Sequence, residues 1–242
     1  MVFEPEGWNE SKKILVILAH PDDPEFFCGA TLARWSQQGH EVRYCLLTKG
    51  QKGAPDLLRT PEELAAFRVV EQKAAAASLG VRSVEFLDYV DGEVTPDLVM
   101  QKKIVRVIRR WQPQILVTSD PLNLFPTDTR INHPDHRAAG QAVVDAAFPA
   151  VGNPMFFPEL ILEEGLQPHS VEEIWLSATA QPNLLIDVTE QFEAKLAAIH
   201  CHRSQISVPL EQFDAMMRQR LVKDSETGKE VFKEQFKRLK LV

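Results

Sequence analysis

Short, unbroken apolar runs alternate along the first part of the chain with longer segments whose apolar positions recur every three to four residues. The run Ile14 to Ala19 (ILVILA) has no polar position, which predicts a strand covered on both faces, as in a parallel sheet. Glu41 to Leu47, Val84 to Leu87 and Ile115 to Thr118 predict further strands. Between them the spacing predicts helices over Phe26 to Gln38, closed by Gly39, over Pro61 to Leu79, closed by Gly80, and over Asp97 to Trp111. The second of these has a capping residue in Thr60, a proline at its first position, and Glu62 and Glu63 in its first turn. A fourth helix is expected from about Pro134 to Ala147. Strands alternating with helices predict an α/β fold: a doubly wound, mostly parallel, Rossmann-like sheet with helices on both faces.

Past this point the pattern loosens. Phe148 to Pro168 is proline-rich and irregular, Glu173 to Ala178 and Leu184 to Asp187 read as strands, and Thr189 to about His202 reads as a helix. Two amphipathic helical patterns close the chain, Leu210 to Leu221 and Lys229 to Leu239. With no internal repeat and no linker-like stretch, the expectation is one domain over 1–242 with a helical C-terminal extension from about 203 to 242.

The 242 residues, 44% hydrophobic and 25% charged, suffice for a sizeable core without disulfides or structural metal, so a metal here would be catalytic. A net charge of -7 without any basic block excludes nucleic acid as a partner. The three cysteines, Cys28, Cys45 and Cys201, have no C-x-x-C spacing, which excludes a disulfide framework or a cysteine-built zinc knot. Cys28 and Cys45 lie among apolar residues and are expected to be buried, usage that suits a reducing cytoplasm. The opening MVFEPEGWNESKK lacks a basic-then-apolar layout, and Ile14 to Ala19 is too short to span a bilayer. A soluble, cytoplasmic protein that does not engage a membrane is expected.

The chemistry concentrates in two segments. At the end of the first strand stands A-H-P-D-D-P-E, Ala19 to Glu25, where an open α/β sheet places its ligands. A dinucleotide site would carry G-x-G-x-x-G there; a histidine and three acids in six residues make a cation site instead. The H-x-x-D spacing lets a tight turn, stiffened by Pro21, bring His20 and Asp23 to one metal. Helix capping accounts for one or two acids at this place, but not for three acids preceded by a histidine. The second segment is N-H-P-D-H-R, Asn132 to Arg137, after a long loop and at a helix entrance. Two histidines and a carboxylate fit zinc with an open position for water, and the same ligand set describes non-haem iron oxygenases. Spare acid-base groups beside the ligands point to hydrolysis: Asp22, free to accept a proton, and His133, with Asp135 available to orient it.

In these residues the chain resembles the LmbE-like (PIG-L-type) zinc deacetylases, which remove acetyl or related acyl groups, mostly from N-acetylglucosamine-type sugars. The resemblance also takes in T-K-G-Q-K-G (48–53), Arg68 and Glu71, Asp91-Gly92 and C-H-R-S-Q (201–205). It implies one Zn2+ per chain held by His20, Asp23 and His136, with Asp22 as general base. It further implies His133, held by Asp135, as the group that steadies the oxyanion or protonates the leaving amine, and Arg68 and Asp91 as sugar contacts. The alternatives for those last two are a surface helix charge and a turn residue. A homo-oligomer, trimer or hexamer, follows by the same resemblance. Two departures stand out: Gln51 where the family often has an acid, and Ile131 where thiol-sugar members have a tyrosine. The reaction expected is metal-assisted hydrolysis of an N-acylated sugar amide. An amidase on a thiol-sugar conjugate, an iron oxygenase and a non-catalytic metal- or sugar-binding module are the rival readings.

Overall fold

A sheet of seven strands forms the centre of the molecule, in the order β3-β2-β1-β4-β5-β9-β6. The computed structural model describes residues 6–54, 56–224 and 227–241. Residues 1–5, part of the segment read above for a signal layout, and residue 55 in the 48–60 loop lie outside these. Strands β1 (Lys13–Leu18), β2 (Glu41–Thr48), β3 (Val84–Tyr89), β4 (Ile115–Ser119) and β5 (Glu173–Ser177) run parallel. Helices α1 (Asp23–Gln37), α2 (Pro61–Ser78), α3 (Leu98–Trp111) and α4 (Pro134–Asp145) connect the strands in the predicted alternation. The unbroken apolar run of β1 has its reason in the two cores. Leu15 and Ile17 pack with the residues of α3 and α4 on one face; Ile14, Val16 and Leu18 pack with α1 on the other. Helices α5 (Glu159–Leu162) and α6 (Phe192–Ile199) follow, and α6 joins α1 on that second face.

The local signals for helix ends hold. Thr60 accepts from the Glu63 amide while the Glu63 carboxylate accepts from the Thr60 amide, and Asp97 caps α3 through the Met100 amide. The irregular stretch after α4 is organised from outside itself. Buried Arg109 of α3 donates to the carbonyls of Ala150, Val151, Asn153 and Phe156, which no regular structure would satisfy.

The tail corrects one expectation. Leu210–Arg218 is helical (α7), but Lys229 to Leu239 is not: Val222–Lys223 (β7) pairs with Glu230–Val231 (β8), and Lys233–Lys240 (β9) inserts antiparallel between β5 and Leu184–Asp187 (β6). So the segment 203–242 is no helical extension; it supplies a sheet strand. The spacing of Phe232, Phe236 and Leu239 imitates a helix. The strand alternation is hidden because one inward position is an acid, Glu234, which pairs with buried Lys195 at 2.6 Å.

The chain builds β1, β2 and β3 outward in one direction and then returns to place β4 on the other side of β1. The crevice at the carboxyl ends of β1 and β4 is therefore the point where the strand order reverses. His20 follows β1 and the Asn132–Arg137 segment follows β4 through its long loop.

Candidate metal centre

Both motifs meet in that crevice. His20 Nδ1 lies 3.2 Å from His136 Nε2 and 3.4 Å from Asp23 Oδ2, and His136 Nε2 lies 3.1 Å from Asp23 Oδ1. Two imidazole nitrogens and a carboxylate thus converge on one point. Tetrahedral ligands about 2.1 Å from a metal stand about 3.4 Å apart, so the spacing fits a metal of that size.

The surroundings fix which atoms face inward. His20 Nε2 lies 3.1 Å from Asp91 Oδ1 and 3.2 Å from Asp135 Oδ2. Carboxylates only accept, so Nε2 carries the proton and Nδ1 offers its lone pair to the centre. Asn132 does the same for His136: its amide nitrogen donates to the Asn123 carbonyl, so its Oδ1 is the atom 3.1 Å from His136 Nδ1. Asp23 Oδ2 accepts from the His20 amide at 2.8 Å, leaving Oδ1 toward His136. His20, Asp91 and Asp135 form a second group whose atoms lie close enough to hold an ion, as do His20, His133 and His136. The acceptor-only partners on Nε2 make the Asp91–Asp135 pair an orienting one.

The field in the crevice favours positive charge. Burial works against a charged His20, but hydrogen bonds to Asp135, Asp23 and Asp91 outweigh it and lift its pKa to about 12, so without a metal Nδ1 also holds a proton, which a cation bound at the centre would displace. Burial also opposes ionisation of Asp23, yet His136 and His20 hold its carboxyl well below the usual range. Asp91, likewise buried, is drawn down to about 2 by His20. A cation placed among these groups meets carboxylates that are already ionised.

Asp22 is set apart. It adopts a left-handed backbone, φ 86°, at the entrance to α1, and its side chain caps nothing; Oδ2 instead lies 3.2 Å from Arg68 Nη2. Burial raises its pKa, Arg68 opposes the rise, Asp23 adds to it, and the balance is a carboxyl at about 6. His133 stands at the rim, its ring centroid 4.6 Å from that of His20. Burial and the neighbouring His20 and His136 push its pKa down, so it is neutral at pH 7.

The structure gives three residues surroundings that the sequence did not show. The Asp135 carboxylate does not hold His133. It points inward to His20 and to the amides of Gly92 (2.7 Å) and Val94 (3.4 Å), because the first turn of α4 turns it toward the sheet. Its backbone amide, not its side chain, donates to His133 Nδ1 at 3.2 Å, which leaves the proton of His133 on Nε2. Arg68 is no surface charge: it is 3% exposed and donates to the carbonyls of Gly50 and Pro21 as well as to Asp22. The glycines of T-K-G-Q-K-G make room for it, since a Cβ at Gly50 or Gly53 would overlap its guanidinium. Asp91, at 5% exposure, is a partner of His20 and of the Lys52 amide rather than a free turn residue. Asn132, Gln72, Glu25 and His202 were given no role from the sequence; Asn132, Glu25 and His202 lie inside the quoted motifs, whereas Gln72 carried no signal.

The chain is similar to known deacetylases. The family profile described as PIG-L, GlcNAc-PI de-N-acetylase, matches residues 15–147. Diacetylchitobiose deacetylase of Thermococcus kodakarensis is 37% identical over 201 residues, 83% of this chain and 72% of that protein. A probable N-acetyl-alpha-D-glucosaminyl L-malate deacetylase 2 of Bacillus cereus is 28% identical over 232 residues, covering 93% and 96%. Among solved structures, N,N'-diacetylchitobiose deacetylase from Pyrococcus horikoshii, in complex with an inhibitor, superposes with a TM-score of 0.84 at 32% identity, over 96% of this chain and 85% of that one. With its two histidine motifs inside the matched region and meeting at one centre, the chain belongs to the PIG-L family of de-N-acetylases.

Proposed function

We propose that the protein is a zinc-dependent hydrolase that removes the acetyl group from an N-acetylglucosamine-type sugar. The observation that carries this reading is the convergence of His20 Nδ1, His136 Nε2 and Asp23 within 3.1–3.4 Å, with an ionisable Asp22 beside them. His20, Asp23 and His136 would hold one zinc ion. When bound, the metal supplies Lewis acidity to the amide carbonyl and to the attacking water.

The chain's own residues do the rest. Asp22, with Oδ2 engaged by Arg68, accepts the water proton on Oδ1 as the water oxygen bonds to the carbonyl carbon. His133 donates from Nε2 to the carbonyl oxygen as negative charge develops there, a contribution of about 3–4 kcal/mol for a well-placed donor. The C–N bond then breaks, acetate and amine separate, and the amine nitrogen takes its proton from Asp22. Asp22 is the better carrier because burial lifts its pKa to about 6 while His133 is pushed down and stays neutral. Asp135 and Asp91 orient His20 and need not touch the sugar.

Three free cysteines, two of them buried, support a reducing, cytoplasmic location. Among the described residues no helix is long and apolar enough to cross a membrane. Phe148, Met155 and Leu162, each more than three-quarters exposed around the irregular segment, support a homo-oligomeric assembly through that face.

The test is a deacetylation screen of N-acetylglucosamine, N,N'-diacetylchitobiose and their conjugates, with free amine as readout and metal-stripped protein as control. Amine release that depends on added zinc is expected for at least one sugar. No release with any of them from protein carrying stoichiometric zinc would overturn the reading.

A further inference from the structure

The C-H-R-S-Q segment is far from the metal centre in sequence, and nothing in the reaction above uses it. It nevertheless closes a buried chain that ends on Asp22. His202, with no exposed surface, lies with Nε2 3.1 Å from Glu25 Oε2. Both Glu25 oxygens accept from the Gln72 amide nitrogen, at 3.0 and 3.1 Å. That fixes the orientation of the Gln72 amide, because a carboxylate cannot donate. Gln72 Oε1 must then face the other way, where it accepts from the Asp22 backbone amide at 2.8 Å. One helical turn earlier on α2, Arg68 Nη2 donates to the Pro21 carbonyl at 2.6 Å.

Arg68 and Gln72, at i and i+4, therefore grip the two polar ends of a single peptide unit, Pro21–Asp22. That unit leads into a non-glycine residue in the left-handed region, a conformation that persists only where its surroundings impose it. Ser204 adds a brace from the same tail segment, donating through its amide (2.8 Å) and hydroxyl (2.6 Å) to Glu71 on α2.

We propose that Gln72, oriented by Glu25 and His202, is a positioning residue for Asp22: it holds the left-handed backbone that aims the Asp22 carboxylate at the attacking water. This rests on Asp22 being the general base, and the test separates the two statements. A turnover measurement with zinc-loaded enzyme and N,N'-diacetylchitobiose compares wild type, Gln72→Met, Asp22→Asn and the double variant, with KM, zinc content and melting temperature recorded for each. Misaiming a base lowers kcat by about tenfold to a hundredfold, so Gln72→Met should do this with KM and zinc content within about twofold of wild type. In the Asp22→Asn background the same substitution should change the residual rate by less than about twofold, although its effect on melting temperature persists.

If Gln72→Met lowers kcat by the same factor in both backgrounds, its role is structural and the positioning role is overturned. If Asp22→Asn keeps wild-type kcat, the general-base assignment falls, and the positioning role falls with it. Should Gln72→Met not fold, His202→Gln, one link further out, gives the same comparison with a smaller expected loss of about threefold to tenfold.

Discussion

Glu234 offers a test of how the C-terminal strand supports the helix that carries the metal site. Helix α1 starts at Asp23 and is kinked at Cys28 (φ −147°, ψ 21°), so the amides that follow lose their helical acceptors. The Glu234 carboxylate, reaching in from β9, replaces them: Ala30 donates to Oε1 at 3.2 Å and Thr31 to Oε2 at 2.7 Å. Lys195 Nζ donates to the same carboxylate at 2.6 Å and to the Phe26 carbonyl at 2.9 Å. Both charged side chains are nearly inaccessible to water. Glu234→Ala would leave a buried ammonium without its counter-charge, at a cost of about 3–5 kcal/mol. Two amides would also be orphaned, at about 1–3 kcal/mol each, partly relieved by water entering the space left. A net loss of about 4–5 kcal/mol is expected, against a total stability of about 5–15 kcal/mol. For a chain of this size that corresponds to a fall of roughly 10–15 °C in Tm. Glu234→Gln keeps an acceptor for one amide and should lose about half as much. Urea denaturation and calorimetry of the metal-free protein measure both. A loss below about 1 kcal/mol for Glu234→Ala would refute the account of the kink, because the carboxylate would then hold nothing that water cannot.

The remaining predictions concern the centre itself. Asp22→Asn should retain bound zinc while kcat falls by about 10²–10⁴, checked by metal analysis beside the amine assay; loss of the metal would mean that Asp22 and Asp23 have exchanged roles. The base acts only when ionised, so kcat/KM should fall as pH drops through the Asp22 pKa, which is about 6 without metal and is drawn lower by a cation on Asp23. For the stability of the metal-free protein the sign is opposite. The native carboxyl, at about 6, binds its proton more tightly than the unfolded one at 3.8, so stability declines as pH rises between these values and Asp22→Asn is the more stable variant at pH 7. His136→Ala should bind little zinc in equilibrium dialysis, and a metal-replete, active variant would refute its place as a ligand. Asn132→Ala should weaken zinc binding by about tenfold to a hundredfold, since His136 loses the acceptor that fixes its tautomer. Gly140→Ala would drive a methyl into the Ser119 carbonyl at the end of β4, pushing away the helix whose first turn carries His136; a loss of about 1–3 kcal/mol together with weaker zinc binding is expected.

How far a sequence can be read depends on whether the deciding contacts are local. The strands β1 to β5 and the helices between them were legible because each carries its own periodicity, and α2 its own cap in the Thr60–Glu63 box. Strand β9 was not, because its alternation is completed by Glu234, an acid that reads as a solvent-facing position until Lys195 is known to lie opposite. A buried ion pair between residues far apart in the chain erases the hydrophobic pattern on which such readings rest. The same holds for Arg68, for which a surface helix charge stood as the alternative to a sugar contact, although it is enclosed by glycines from another loop.

At the centre the division runs between the atoms that converge and those that aim them. His20 and Asp23 could be brought together on paper by the spacing of one short motif, whereas the choice of His136 as their partner came from the family resemblance. The orienting groups could not, because each acts across the fold: Asp91 and Asp135 on His20, Gln72 on the Asp22 amide, His202 on Glu25. Asp135 shows the difference most clearly. His133, two residues earlier, was the natural partner to assign, yet at a helix start side chains two apart point to nearly opposite faces, about 200° round the axis, so the carboxylate turns inward while only the backbone amide reaches the histidine. A residue's place in a motif therefore predicts that it belongs to the site, whereas the atom it holds is decided by which face of its own element it occupies.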